Sequence, residues 1–429
     1  MRKGSARTAY GVLLTICFCH MNNDMLQSLV IASYPTIKEN FHLSFGQIGL
    51  VTLAYQATAS LLQPLIGAVA DRRPSPYALP VGTLFTGAGL VVLSTAPTFP
   101  MLIAGACVLG IGSSVFHPES SRVARMAAGD RPGLAQSLFQ VGGNIGGALG
   151  PLGAAVVVLR WGQRSLGAFS LLALVSTAAL GAVGLWAKRA LEEQRAQSRR
   201  EGLGPRSALD SESAPPLSKA QVRTSLAILL VLIFSKFVYL ASFSSYYTFY
   251  LVEHFGLPVA SAQFHLCSLA GAVAAGALVG GWMGDAFGRK RVIWFSILGA
   301  LPFALALPYV DLAWTEILTV AIGFILASAF PAVVVYGQEL IPNRVGMVSG
   351  LFFGLSFGAA GLGAGLLGKL ADARGIDYVY RVVSFLPAIG LLAAMLPDLG
   401  RRSRASRVPA DAAPKAADGL AEGGVADTP

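Results

Sequence analysis

The chain has 429 residues, of which 54% are hydrophobic and only 13% are charged. Charged residues make up about a quarter of an ordinary soluble domain, so this chain has too few to cover the surface of a water-soluble protein. The same composition excludes disorder over most of its length. A formal net charge of +10 would suit nucleic acid, but the basic residues form short clusters between apolar runs, as in the loops of membrane proteins. We therefore predict an integral membrane protein that binds no nucleic acid.

Twelve apolar runs are long enough to cross a bilayer as helices, which takes about 20 residues each. They are too long and too continuously apolar for the alternating strands of a membrane barrel. The predicted fold class is therefore an all-α membrane protein with twelve transmembrane helices. The runs cover residues 8–34, 45–70, 77–96, 99–122, 132–159, 164–187, 223–251, 259–284, 291–310, 313–338, 345–369 and 377–397.

The distribution of lysine and arginine predicts the orientation. If both ends lie in the cytoplasm, 25 basic residues face the cytoplasm and six face the opposite side, which is the asymmetry of the positive-inside rule. A hydrophilic stretch between the sixth and seventh runs predicts two bundles joined by a flexible linker. The predicted parts are a cytoplasmic N-terminal tail (1–7), a first six-helix bundle (8–187), a cytoplasmic linker (188–222), a second six-helix bundle (223–398) and a disordered cytoplasmic tail (399–429).

Two short motifs recur at one offset. A Glu-x-Phe-x-Leu motif begins at Glu39 and again at Glu253, and a Gly-x-x-x-Asp motif ends at Asp71 and again at Asp285, 214 residues apart in both cases. A shared offset indicates an internal duplication of six spans. Parallel repeats with a binding site between them are typical of transporters.

The second copy of the Gly-x-x-x-Asp motif extends into a longer signature, GWMGDAFGRKR at 281–291. This segment resembles the loop signature of the major facilitator superfamily, in which a charge pair latches neighbouring helices. The first copy keeps Asp71 and the adjacent Arg72 but departs from the signature after them, and a solvated basic loop is the alternative for both copies. The resemblance implies gating roles for Asp71, Arg72, Gly281, Asp285, Gly288 and Arg289.

A glycine-rich segment in the fifth run, GGALGPLG at 146–153, resembles the antiporter motif of the same superfamily. Gly150 allows close helix packing, and Pro151 removes a backbone hydrogen bond and bends the helix. The resemblance implies a gating element for export by exchange. Close packing without that meaning is the alternative.

Several polar side chains lie within the first run, where ionisable groups are costly and therefore candidates for function. His20 and Asp24 are four residues apart and share a helix face, with Gln27 one turn further on. Burial in lipid favours the protonated, neutral form of a carboxyl group unless a cation holds it charged. We predict Asp24 as a proton carrier; the alternative is a neutralised carboxylate that holds helices together.

The fourth run contains His117 and, near its end, Glu119 and Arg122. Histidine titrates near neutral pH and can relay protons, and Glu119 and Arg122 are neighbours at i, i+3. We predict proton coupling through His117 and Glu119. A structural Glu–Arg ion pair at the cytoplasmic boundary is the alternative.

The seventh run contains a lysine far from either interface, Lys236, followed at helical spacing by Tyr239, Tyr246 and Tyr250. Its ammonium group is expected to pair with Asp24 across a central cleft or with an anionic substrate. A purely structural lysine–aspartate pair is the alternative.

In the fifth run, Gln140 and Asn144 continue a polar face that starts at Gln136; such a face either binds substrate or links helices. The four cysteines lie within apolar runs, and the five histidines show no ligand spacing. We therefore expect no metal, no cofactor and no enzymatic activity.

Five longer segments carry a closer resemblance: HMNNDMLQSL (20–29), GSSVFHPESSRVARM (112–126), FQVGGN (139–144), SFSSYYTFYL (242–251) and GMVSGLFFG (346–354). Together they resemble the bacterial fosmidomycin resistance proteins. The resemblance implies a proton-driven antiporter of the bacterial inner membrane that exports fosmidomycin, a small anionic phosphonate. A transporter of a native organic anion or sugar, importing or exporting it with protons, is the alternative.

This resemblance and the polar side chains together define the expected site and partners. We expect a monomer in the lipid bilayer that binds an anionic small molecule and protons. The proton-coupling residues are predicted to be Asp24, His117 and Glu119. The predicted substrate-binding residues are Lys236, His20, Asn23, Gln27, Arg122, Gln140, Asn144, Tyr239, Tyr246 and Tyr250.

Overall fold

The computed structural model describes residues 8–43, 45–200 and 217–399, and within these ranges all regular structure is helical. The α-helices are α1 (Tyr10–Ala32), α2 (Tyr34–Phe41), α3 (Phe45–Leu61), α4 (Gln63–Arg72), α5 (Ala78–Thr95), α6 (Phe99–Ala127), α7 (Pro132–Gly153), α8 (Leu159–Trp161), α9 (Ser170–Arg200), α10 (Lys219–Phe255), α11 (Val259–Phe287), α12 (Arg289–Leu298), α13 (Leu301–Ala306), α14 (Leu312–Leu340), α15 (Val345–Arg374) and α16 (Ile376–Val383).

Short helices of other types extend several of these elements. A π-helix joins α7 to α8, and 3₁₀-helices precede α9 and α15 and follow α13 and α16. The π-helix spans Ala154–Val158, and the 3₁₀-helices span Gln163–Phe169, Pro342–Arg344, Leu307–Tyr309 and Leu386–Met395.

Ten helical segments of the described residues are long and apolar enough to cross a membrane. The two remaining predicted runs, 8–34 and 45–70, are also helical. The first, α1, carries five polar residues between His20 and Gln27 that lower its mean hydropathy, and the second is divided at Leu62 into α3 and α4. The all-α membrane class is therefore confirmed, and both departures from the span criteria have a local cause.

Large apolar side chains cover the outside of the helix bundle. Phe264 is 75% exposed, Leu61 72% and Trp161 63%. A water-soluble protein rarely exposes so many large apolar side chains in contiguous areas. This surface is suited to contact with lipid.

The helices on either side of the predicted linker are longer than the apolar runs. α9 continues to Arg200, and α10 begins at Lys219 with a capping box in which the Ser218 hydroxyl accepts from the Gln221 amide at 3.1 Å. Hydropathy marks where a membrane ends, whereas a polar helix can continue into water. The flexible linker predicted at 188–222 is therefore wrong at both ends. Its centre (201–216), the tail at 1–7 and residues 400–429 lie outside the described residues.

A stripe of glycines brings α7 against α1. Gly142, Gly146 and Gly150 lie four residues apart on one face, and a methyl group on Gly146 would lie 2.1 Å from the carbonyl oxygen of Met21. The backbones therefore approach more closely than any other residue would permit, which is how helices associate in lipid. The adjacent Gly147 has open space where its side chain would be.

These neighbouring glycines give a matched test of the packing. Gly146→Ala is expected to destabilise the protein by about 1–3 kcal/mol, the usual result of overpacking, and to lower its thermal unfolding temperature in detergent. Gly147→Ala is the control and should leave that temperature unchanged or raise it, because alanine favours helix. Equal unfolding temperatures for the two variants would contradict the close α1–α7 contact.

Candidate functional site

A carboxylate and two imidazoles meet in the interior of the first half of the chain. Asp24 on α1 lies between His20, one turn earlier on α1, and His117 on α6. Its Oδ2 is 3.2 Å from His20 Nε2, and its Oδ1 is 3.4 Å from His117 Nε2. Both histidines are fully buried, whereas the Asp24 side chain keeps 19% of its surface exposed. We call these three residues the Asp24 triad.

The backbone of two neighbouring helices fixes both imidazole rings. His20 Nδ1 lies 2.6 Å from the carbonyl oxygen of Phe139, and His117 Nδ1 lies 3.0 Å from that of Ser113. Gly143 on α7 is essential to this arrangement, because a methyl group there would lie 2.6 Å from the His20 ring and 2.7 Å from Asp24 Oδ2. The α7 glycines therefore make room for the triad.

Polar neighbours extend the triad along α1 and towards α3. The Asn23 side-chain amide donates to Asp24 Oδ1 at 3.0 Å. The Tyr55 hydroxyl on α3 donates to the side-chain oxygen Oε1 of Gln27. The sequence predictions include Asn23 and Gln27 but not Tyr55; its only sequence signal is a polar tip inside an apolar run.

The structure corrects the prediction for Lys236. Its side chain is buried, and its Nζ lies 5.2 Å and 5.1 Å from the ring centres of Phe237 and Phe330. The predicted Asp24–Lys236 ion pair is therefore wrong for this conformation, because Asp24 faces two histidines and Lys236 faces two aromatic rings. A buried cation beside aromatic faces gains part of its stabilisation from them.

Aromatic rings occupy the space between the triad and Lys236. The Phe330 ring lies 5.2 Å from that of Phe353, which lies 5.5 Å from the His117 ring and 5.7 Å from that of Phe139. We call Phe139, Phe330 and Phe353 the aromatic layer. It belongs to a hydrophobic cluster with members from both sequence halves.

The three predicted tyrosines of α10 are not grouped around Lys236. Tyr239 and Tyr250 are buried in a separate cluster around Tyr380, with the Tyr250 ring 4.3 Å from that of Tyr380. The Tyr246 hydroxyl donates to the carbonyl oxygen of Ala364 at 2.6 Å. In this conformation these side chains pack within the second half, which is the expected behaviour of large amphipathic rings.

Two residues after His117, α6 carries a buried ion pair. Arg122 Nε lies 2.9 Å from Glu119 Oε2, and Nη2 contacts Oε1, so that the guanidinium fork holds both carboxylate oxygens. The ion pair that the sequence offers as the alternative to proton coupling at Glu119 is therefore present in this conformation, and the coupling role stays a prediction. Because Arg122 is committed to Glu119, it has little capacity left for substrate here.

A polar cluster joins the two halves at Ser121, which lies between Glu119 and Arg122 on α6. The Ser121 hydroxyl contacts Gln136 at 3.0 Å and Ser349 at 3.1 Å, and the Gln338 side-chain amide donates to both serines. Gln136 therefore links helices. Gln140 leaves its buried Oε1 without a hydrogen-bond partner, and Asn144 lies one turn further along α7, partly buried.

The two acids of the duplicated motif occupy equivalent positions in the two halves. Asp71 at the end of α4 accepts from the backbone amides of Gly346 and Met347, both at 2.8 Å, in the first turn of α15. Asp285 near the end of α11 accepts from Gly133 and Leu134, both at 2.9 Å, in the first turn of α7. The first amides of a helix lack intrahelical partners and attract negative charge. We call these contacts the two latches; each joins one half of the chain to the other.

Glycines let the latched helices touch. A methyl group on Gly67 would lie 2.1 Å from the carbonyl oxygen of Gly346, and one on Gly281 would lie 2.2 Å from that of Gly133. Gly288 ends α11 with φ of +95°, a conformation that favours glycine.

The charges around the two latches differ. Arg289 lies 3.2 Å from both Asp285 and Glu339, so the second latch is braced by an ion-pair network. In the first copy Arg72 is exposed at the end of α4. The sequence departure after Asp71 therefore coincides with a difference in the charges around the acid.

The antiporter-like segment lies at the α7–α1 contact. A methyl group on Gly150 would lie 1.9 Å from the Ser28 hydroxyl, and α7 continues through Pro151 before turning π-helical at Ala154. A π-turn is a common response to a disturbed helix ladder. These contacts show that the antiporter-like segment packs α7 against α1.

The contacts between the halves described above lie at one end of the bundle, where the latches and the Ser121 cluster are found; we call it the latch end. At the other end, hydrogen bonds join residues of the same half: Asn40 with Gln163 at 3.4 Å, and His254 with Asp377 at 2.8 Å. The molecule is therefore held closed at the latch end.

Within the described residues, the Asp24 triad is the group whose side chains could surround a cation, with three ligand atoms within 4.8 Å of one another. The prediction that the histidines are scattered is wrong for His20 and His117, which reach one carboxylate from different helices. Spacing along the chain could not reveal this contact. We assign no metal to the site.

Comparison with known proteins places the chain in a family. The sequence profile of the Major Facilitator Superfamily matches residues 16–364 and 273–419. The chain belongs to this superfamily. It is a membrane transporter rather than an enzyme, because this family comprises transporters.

Two curated relatives span almost all of this transporter. The fosmidomycin resistance protein of Escherichia coli (strain K12) is 51% identical over 393 residues, covering 92% of this chain and 94% of that protein. The uncharacterized MFS-type transporter YfnC of Bacillus subtilis (strain 168) is 36% identical over 392 residues, covering 91% and 93%. The resemblance to the fosmidomycin resistance proteins is therefore confirmed.

Solved structures of the superfamily share the fold. The human organic anion transporter MFSD10 superposes with a TM-score of 0.71 at 15% identity, and the E. coli fucose:proton symporter FucP with 0.68 at 14%. Each comparison covers 91% of this chain and 100% of the other. At this identity the likeness concerns the fold alone.

The latches predict how the transporter responds when an acid is removed. Asp71→Ala deletes two charge-assisted hydrogen bonds between the halves, each worth about 1.5–3 kcal/mol, so the closed latch end should lose population. Spin labels at Arg73 and Arg344, in a background without the native cysteines, should report longer distances. Asp311→Ala removes a carboxylate that caps its own helix at Trp314 and should not change these distances. Unchanged distances in Asp71→Ala would contradict the latch role.

Proposed function

We propose that this transporter exports a small anionic drug such as fosmidomycin in exchange for protons, by alternating access. The observation that carries the proposal is a pair of buried charges that do not neutralise each other. Asp24 with its two histidines can exchange protons in the first half, and Lys236 in the second half has aromatic contacts but no carboxylate ion pair among the described residues. A buried ammonium group is stabilised when an anion reaches it. An anionic substrate would supply that charge.

The name of the E. coli relative supports fosmidomycin as a substrate, since 51% identity extends over 92% of this chain. Lys236 provides a donor suited to phosphonate oxygens. The proposal therefore rests on a charge that the fold buries and on a relative named for resistance to an anionic phosphonate.

The orientation is part of the same proposal. Basic residues are concentrated at the latch end, which the positive-inside rule assigns to the cytoplasm. They are Arg72, Arg73, Arg131, Arg289, Lys290, Arg291 and Arg344. In this proposal both termini are cytoplasmic, the protein lies in the bacterial inner membrane as a monomer, and the described conformation is closed towards the cytoplasm.

Proton coupling is proposed to use Asp24, His117 and Glu119. Asp24→Asn and Glu119→Gln should abolish pH-driven exchange of fosmidomycin in proteoliposomes while the folded protein is retained. Asp377→Asn removes an exposed carboxylate paired with His254 and should transport normally. Full proton-coupled transport by both variants would remove these residues as carriers.

The direction of flux separates export from the alternative, import of a native organic anion or sugar. Inverted membrane vesicles with an acidic interior should accumulate fosmidomycin if protons drive export. Movement of substrate in the same direction as the protons would instead support symport and contradict the proposal.

Anion binding is proposed to use Lys236. Lys236→Ala should weaken the binding of anionic substrates about 10- to 100-fold, because a hydrogen bond to a charged group is worth about 1.5–3 kcal/mol. The binding of neutral analogues should be affected less. Lys219 is an exposed lysine at the start of the same helix, and Lys219→Ala serves as the control. Equal losses for anionic and neutral compounds would assign Lys236 a structural role.

A further inference from the structure

The hydrogen atoms of the two triad histidines are constrained by the backbone. A carbonyl oxygen only accepts hydrogen bonds, so the contacts of His20 Nδ1 with Phe139 and of His117 Nδ1 with Ser113 place a hydrogen on both Nδ1 atoms. A neutral imidazole carries one N–H. In the neutral state both Nε2 atoms are therefore bare acceptors.

Both bare nitrogens face a group that also accepts. His20 Nε2 and His117 Nε2 lie 3.2 Å and 3.4 Å from different oxygens of Asp24, and an ionised carboxylate offers no donor. Both Nε2 atoms are buried and otherwise lack a hydrogen-bond partner, which is costly inside a protein. Each of the two contacts between an Nε2 atom and an Asp24 oxygen therefore needs one proton to become a hydrogen bond.

We propose that the Asp24 triad holds two exchangeable protons, one on each Nε2 atom, with Asp24 remaining ionised between them. His20 is then a second proton carrier beside His117, whereas the sequence predicts it as a substrate ligand. Each proton forms one Nε2–H bond, and no other bond changes. Release of both protons restores two neutral rings and the carboxylate, so the triad alternates between charges of +1 and −1. The inference rests on the proposed proton exchange and specifies the atoms that perform it.

The surroundings of the rings suit a protonated imidazole. The Phe139 ring stacks on His20 with centroids 3.9 Å apart and planes 15° apart. Phe353 and Phe357 of α15 lie 5.5 Å and 5.2 Å from the His117 ring. Aromatic faces attract cations, so these contacts help to compensate the loss of water around a charged ring.

The other ionisable groups near the triad come from α3 and α6. Tyr55 approaches from α3 and is engaged by Gln27. Glu119 and Arg122 follow on α6 and neutralise each other. α7 contributes Gly143 to the packing around the triad. Asp24 is therefore the negative charge that both histidines face directly, and it also separates the charges of the two rings, whose centroids are 5.2 Å apart.

The number of protons exchanged per substrate tests the inference. In proteoliposomes with the membrane potential held at zero, the limiting fosmidomycin gradient at a fixed pH gradient gives this number. His20→Gln and His117→Gln should each lower it by one, which reduces the limiting gradient about tenfold for one pH unit. His254 is an exposed histidine paired with Asp377, and His254→Gln should leave the number of protons per substrate unchanged. Unchanged numbers in both triad variants would overturn the inference.

Infrared difference spectra of the unaltered protein between high and low pH locate the protons without relying on the histidine variants. We expect imidazolium bands to appear at low pH. We do not expect a protonated-carboxyl band that is present in the unaltered protein and absent in Asp24→Asn. A carboxyl band lost in Asp24→Asn would place the proton on Asp24 and overturn the inference. So would a stoichiometric metal ion retained by protein purified without added metal and lost in His20→Gln. Failure of the unaltered protein to exchange fosmidomycin for protons would instead overturn the proposed function.

Discussion

A charge inside a membrane-embedded fold is stable only where an opposite charge, a hydrogen-bond donor or an aromatic face compensates for the loss of water. This protein uses all three. Asp24 lies between two imidazoles, Glu119 is held by both branches of the Arg122 fork, and Lys236 is compensated by aromatic rings. The first two compensations are complete within the protein when the imidazoles are protonated. The third leaves Lys236 without a carboxylate partner among the described residues, and the proposed anionic substrate would supply that charge.

The same constraint explains the two latches. Asp71 and Asp285 lie at helix ends, where a carboxylate without an adequate partner would favour contact with water. Each instead accepts two amides from the first turn of a helix in the opposite half. These donors are available because the first turn of any helix leaves its amides free. A duplication that preserves one acid and one glycine per half therefore produces two equivalent contacts.

The sequence predicts helices well because the apolar runs and the helix period are local signals. It offers the Glu119–Arg122 pair as an alternative for the same reason, since both residues lie on one helix. It does not predict which helices meet. His117 reaches Asp24 from α6, and this contact depends on Gly143 of α7 making room, which no spacing within α1 or α6 reveals.

Of the two partners predicted for Lys236, the Asp24 alternative failed for the same physical reason, and the anionic substrate stays a prediction. Opposite charges on two different helices suggested an ion pair, but the packing of Phe330 and Phe353 keeps aromatic rings next to the ammonium group. Gln338 and Ser349 were missed because single hydroxyl and amide groups are common in apolar runs. Their importance appears only where the two halves meet at Ser121.

α6 connects the proton site to the latch end over a short distance. His117 faces the triad, Glu119 and Arg122 form the buried ion pair, and Ser121 joins the polar cluster between the halves. All four residues lie within about two helical turns. In the proposed proton exchange, a change of charge at the triad occurs on the same helix that carries the contacts of the closed end. In the proposed cycle, protonation of the triad and opening of the latch end are linked through this one helix.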